Sequence, residues 1–85
     1  PWRRGHTPGG SSGGSAAALA AGLSAAEFGS DLGGSVRFPA HYTGTFGHRP
    51  SIGLVPHEGN LPVGTRVGGD FSVAGPLARS AHDLE

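Results

Sequence analysis

GGSSGGSAAALAAGLSAAEFGSDLGGSVR, residues 9–37, sets two glycine-framed serine turns on either side of an alanine-rich run. The run at residues 15–23 has high intrinsic helix propensity, with Ser12 or Ser15 placed to cap it and Gly22 placed near its end. Residues 25–31 read as a short strand with Ala26 and Phe28 on one side. The second glycine turn carries Ser35, and residues 36–42 then predict a short helix with Pro39 in its first turn, where a missing N–H costs nothing. Helix, strand and helix in succession favour an α/β arrangement over an all-α or all-β one. Ser11 and Ser35 are the serines that the glycines frame. A hydroxyl that attacks a carbonyl needs open backbone around it, and glycine both opens the approach and admits dihedrals that aim N–H groups at a developing negative charge.

Outward from this stretch the signals weaken. Residues 45–49 and 52–55 predict two short strands separated at Pro50, and residues 56–70, with prolines and several glycines, read as a long surface loop of the kind that shapes a substrate entrance. Ser80 and Asp83 have the spacing of a capping box opening a helix. A helix beginning where the sequence stops, together with a Pro-Trp-Arg start, gives the expectation of an internal fragment of a larger domain.

Composition narrows the classes. The 85 residues include 17 Gly and 7 Pro and no Cys, so the core is thin and no disulfide or thiolate metal site reinforces it. The formal charge is zero and the basic residues, all Arg, are dispersed apart from Arg3 and Arg4, which argues against nucleic-acid binding. The longest apolar stretch, residues 16–23, is far short of the roughly 20 residues that span a bilayer. A cysteine-free chain with no visible export signal is expected in the cytoplasm.

Several motif readings compete for the glycine turns. A flexible Gly/Ser linker accounts for residues 9–15 alone but not for the helix, strand and second glycine turn that follow. Gly10, Ser12 and Gly14 satisfy the spacing of a nucleophile elbow, yet residues 5–8 make a poor strand to precede it. A phosphate loop would need a Lys, and the chain has none. His6, His41, His48, His57 and His82 lack metal-ligand spacing, so no metal is expected. Asp31 and Arg37 bracket the Ser35 turn as a local ion pair, a clamp that shapes the turn, or both.

The stretches GGSSGGSAAALAAG and GSDLGGSVRFPA closely resemble the amidase signature family of amide hydrolases, most strongly over residues 9–51. FGHRPSIGLVP and GPLARSAHDLE are also similar to that family's downstream segments. The resemblance implies an α/β fragment of the amidase signature fold, a mixed β-sheet core covered by helices, with residues 1–85 inside a single domain. It implies a Ser, Ser, Lys triad in which Ser35 is the nucleophile and Ser11, following a cis peptide bond, is the second serine. Leu32, Gly33, Gly34 and Ser35 then match the segment lining the oxyanion hole. The family's lysine lies upstream of Pro1, so this chain alone is expected to be inactive.

The implied activity is hydrolysis of a small-molecule carboxylic amide to the acid and ammonia or an amine, through a serine acyl-enzyme and without a cofactor. Two alternatives stand beside it. One is the glutamine-hydrolysing component of a tRNA-dependent amidotransferase; the other is a noncatalytic Gly/Ser-rich segment whose turn N–H groups hold an anion.

Overall fold

A computed structural model of the chain describes residues 1–59 and 71–85. Helix α1 spans Gly13–Ala20, strand β1 Ala26–Asp31, helix α2 Arg37–Thr43, strand β2 Phe46–Gly47 and strand β3 Val73–Ala78, followed by a 3-10 turn at His82–Leu84. The strands form one sheet in the order β1-β3-β2, and both pairings are antiparallel. Helices packed on this sheet make a small α/β fragment, the class expected from the alternation of elements.

Each end of α1 has a local cause. Ser12 occupies the N-cap position without a side-chain cap bond. At the other end Gly22 adopts φ +74°, its N–H donates to the Leu19 carbonyl, and the Leu23 N–H donates to the Ala18 carbonyl. That paired closure stops the helix before the alanines run out. Helix α2 keeps Pro39 in its first turn and ends on Gly44 at φ 72°. The buried Thr43 hydroxyl donates to the Pro39 carbonyl at 2.8 Å.

The core is small: Ala16 and Leu19 of α1, Val36 and Ala40 at α2, and Leu77 of β3. Glycines let the helices come this close to the sheet. A Cβ on Gly47 would lie 2.9 Å from the Ala40 Cβ, and one on Gly29 would overlap the Ser12 hydroxyl and lie 3.2 Å from Val36 Cγ2. The other sheet face leaves Phe28 and Phe46 about half exposed or more.

Two expectations change, and the central strand, β3 at Val73–Ala78, lies where the sequence analysis assigned no element; it carries Gly75 and Pro76, residues of low strand propensity. Both residues have a structural use: a Cβ on Gly75 would overlap the His48 carbonyl, and Pro76 accepts a bond from the His48 N–H at 3.0 Å but has no N–H to return one. For that reason the strand expected over residues 45–49 is confined to Phe46–Gly47. Residues 52–55, expected as a strand, form a turn in which the Leu54 N–H donates to the Ser51 carbonyl and Gly53 takes φ +82°. The loop expected over residues 56–70 lies mostly outside the described residues. Ser80 and Asp83 meet as their spacing predicts, with the Ser80 hydroxyl 2.7 Å from the Asp83 carboxylate and the Asp83 N–H donating back to it.

Candidate active site

Ser11 sits in the turn entering α1, and Ser35 in the turn between β1 and α2. A backbone bond joins the two turns: the Ser12 N–H donates to the Ser35 carbonyl at 3.1 Å. The Gly10–Ser11 peptide is cis. Ser11 is exposed and Ser35 is half-buried. Gly9, at φ +78°, packs so closely on α2 that a Cβ there would lie 2.8 Å from the Tyr42 ring.

Asp31 organises the Ser35 turn. Its side chain ends β1 and is fully buried. Oδ1 accepts the Gly34 N–H at 2.8 Å, and Oδ2 accepts those of Val36 at 3.2 Å and Arg37 at 3.3 Å. The Arg37 guanidinium adds a two-pronged contact, Nε to Oδ2 at 3.0 Å and Nη2 to Oδ1 at 2.9 Å. Arg37 is therefore both the local ion pair and the clamp. Its guanidinium is the main reason that the Asp31 carboxyl titrates far below the usual carboxylate range; the three backbone N–H groups add to the effect, and burial opposes it. The same contact raises the Arg37 pKa.

With the carboxylate occupying the Gly34, Val36 and Arg37 donors, the turn between them keeps an open backbone. Among the described residues no hydrogen bond engages the N–H of Gly33 or of Ser35. Leu32 and Gly33 are exposed, whereas Gly34 is buried under Phe38 at φ +117°. No L residue holds that dihedral comfortably, and a Cβ there would overlap the Phe38 ring, so both backbone and packing require glycine. Free N–H groups beside a serine hydroxyl are what stabilisation of a tetrahedral oxyanion demands.

Other sequence candidates lie apart from this turn. Among the described residues no group of three His, Asp or Glu side chains converges to hold a metal ion. His57 packs on the start of β3, its Nε2 3.1 Å from both the Ser72 carbonyl and the Ala74 N–H. A cavity of about 370 Å³ lies between the N-terminal segment and α2, lined by Trp2, His6, Pro8, Tyr42 and Thr43, and neither Ser11 nor Ser35 lines it. No helix among the described residues is long and apolar enough to cross a membrane.

One residue of this neighbourhood escaped sequence reasoning. Arg49 brings its Nε to 3.7 Å from Asp31 Oδ1. Nothing in the spacing of Arg49 from Asp31 signals the contact, because it depends on where β2 leads the chain.

Known proteins match the chain along its whole length. The amidase family model matches residues 1–85. Fatty-acid amide hydrolase 2 of Homo sapiens is 46% identical over 84 residues, 99% of this chain and 16% of that protein. Fatty-acid amide hydrolase 2-A of Danio rerio is 47% identical over 76 residues, 89% of this chain and 14% of that protein. A glutamyl-tRNA(Gln) amidotransferase subunit of Sulfolobus acidocaldarius is 46% identical over 85 residues, 100% of this chain and 17% of that protein. The chain thus spans 14–17% of the length of these relatives.

Proposed function

The chain belongs to the amidase signature family, and on that ground we propose that the full-length protein hydrolyses a small carboxylic amide through an acyl-enzyme on Ser35. The observation that carries this reading is the Ser35 turn, in which buried Asp31 occupies the flanking backbone donors and leaves the Gly33 and Ser35 N–H groups unengaged among the described residues.

In the proposed reaction the Ser35 oxygen adds to the amide carbonyl, and Leu32, Gly33, Gly34 and Ser35 line the site of the resulting oxyanion. The Ser35 proton passes through the Ser11 hydroxyl to a lysine amine that this chain does not carry. A neutral lysine can serve as base once burial lowers its pKa. Collapse of the intermediate breaks the C–N bond, the departing nitrogen takes up the proton, and water then cleaves the Ser35 ester to the free acid. The 85 residues are an internal part of one catalytic domain and, without the lysine, are inactive alone.

The test is fluorophosphonate labelling of the folded full-length protein, followed by tandem mass spectrometry of the tryptic peptide covering residues 5–37. The expected result is a phosphonyl adduct on Ser35. An unlabelled peptide, or an adduct spread over its other serines, would remove Ser35 from the nucleophile's role.

A second reading has a specific observation behind it, since identity to the Sulfolobus amidotransferase protein equals that to human fatty-acid amide hydrolase 2. In that case the amide is glutamine and the ammonia passes to a tRNA-bound glutamyl group. Copurification with other subunits and ATP-dependent transfer would favour it; turnover of simple amides by the lone polypeptide would favour the first reading.

A further inference from the structure

We infer that Arg49 is a positioning residue for the Ser35 turn, tying the buried Asp31 carboxylate to the segment that leads into β3. This rests on the reading of Ser35 as the nucleophile. Arg37 and Arg49 both face Asp31, but they do different things. Arg37 stands just past the turn in sequence, so its contact closes a local loop, and its side chain is 53% exposed. Arg49 arrives from beyond β2 and is 27% exposed. While its Nε lies 3.7 Å from Asp31 Oδ1, its Nη2 donates to the Phe71 carbonyl at 2.8 Å. One guanidinium therefore spans from the root of the Ser35 turn to the backbone just before β3.

The geometry has two consequences. The turn is held from outside its own loop as well as from within, which limits how far Ser35 can drift from a productive position. Among the described residues two guanidiniums also face one carboxylate, an excess of positive charge beside the turn that is placed to favour a transition state gathering negative charge on oxygen. Both act on the reacting step more than on ground-state binding, so the effect belongs in kcat rather than KM. A lysine retains the charge and three N–H donors, but all on one nitrogen, so it lacks the spread by which Nε and Nη2 of Arg49 face Asp31 and the Phe71 carbonyl from different positions; a glutamine retains a donor and loses the charge.

The experiment compares the full-length protein with its Arg49→Lys and Arg49→Gln variants by the rate of fluorophosphonate labelling per folded molecule and by hydrogen exchange of the peptide covering residues 32–37. Arg49→Gln is expected to slow Ser35 labelling by about tenfold and to speed exchange in the turn, with Arg49→Lys losing about threefold. Labelling and exchange unchanged in Arg49→Gln would overturn the inference. So would a lowered melting temperature with unchanged labelling per folded molecule, the mark of a merely structural role. Absence of a Ser35 adduct in the unaltered protein would instead sink the nucleophile assignment; the exchange measurement then decides separately whether Arg49 orders the turn, and unchanged exchange counts against it.

Discussion

The two glycine turns look alike in sequence and are built on different principles. The Ser35 turn is wound around a buried charge: Asp31 accepts three backbone N–H groups and two bonds from the Arg37 guanidinium, and a second guanidinium approaches from Arg49. Among the described residues the Ser11 turn has no such hub. Its shape comes from Gly9 against the Tyr42 ring, from Ser12 against Gly29, and from the single backbone bond that Ser12 donates to Ser35. One serine is thus presented by bonds to a buried carboxylate, which are stronger than bonds between neutral groups, and the other by close packing around glycines. Glycine framing alone therefore does not say how a serine is held.

Removing the hydroxyls probes this contrast most severely. Ser35→Ala is expected to lower amide turnover of the full-length protein by about a thousandfold or more, and steady-state kinetics would show it as a loss in kcat. Wild-type turnover from this variant would erase the chemical distinction between the turns.

Next in size is Asp31→Asn, which leaves a single acceptor oxygen where two now serve five donors. Destabilisation of about 2–3 kcal/mol is expected by denaturant titration of the full-length protein, from the lost charge-assisted bonds. A loss below about 1 kcal/mol, on the scale of neutral bonds, would show that the charge is not what holds the turn.

The same hub sets an acid response. Because the native Asp31 carboxyl is depressed below its ordinary value, its stabilisation is fully present above the unfolded value of 3.8 and drains as pH falls from there towards the lower native one. Stability of the native protein should therefore drop more steeply below about pH 4 than that of Asp31→Asn. Parallel acid profiles of the two would contradict the assignment.

Glycine replacement tests the packing side at smaller scale. Gly34→Ala meets the Phe38 ring and keeps a φ of +117°, so about 1–3 kcal/mol of destabilisation is expected. Gly14, in the first turn of α1, has open space around it, and Gly14→Ala should stabilise by about 0.5–1 kcal/mol. Thermal melts of both variants check the pair of signs.

The legible parts of the molecule were local. The alanine run, the glycine at its end, the proline in the first turn of α2 and the Ser80 to Asp83 cap are interactions over a few residues, and the sequence states them almost directly. The ion pair of Asp31 with Arg37 belongs in the same group, since both residues bracket one turn. Strand β3 was illegible for a physical reason. Gly75 and Pro76 are poor strand residues by propensity, and they become good ones only where a neighbouring carbonyl crowds one and the pairing with β2 stops beside the other.

Family, α/β alternation and the two serine turns could be read from the amino-acid sequence without coordinates, because each is written in contiguous residues and in glycines whose dihedrals no other residue supplies. Three-dimensional packing settled the rest: which strand stands at the centre, which N–H groups Asp31 occupies and which it leaves free, and that Arg49 reaches the turn at all. Those outcomes depend on distances between segments remote in sequence, which follow from how the glycine-thinned sheet lets α1 and α2 pack upon it.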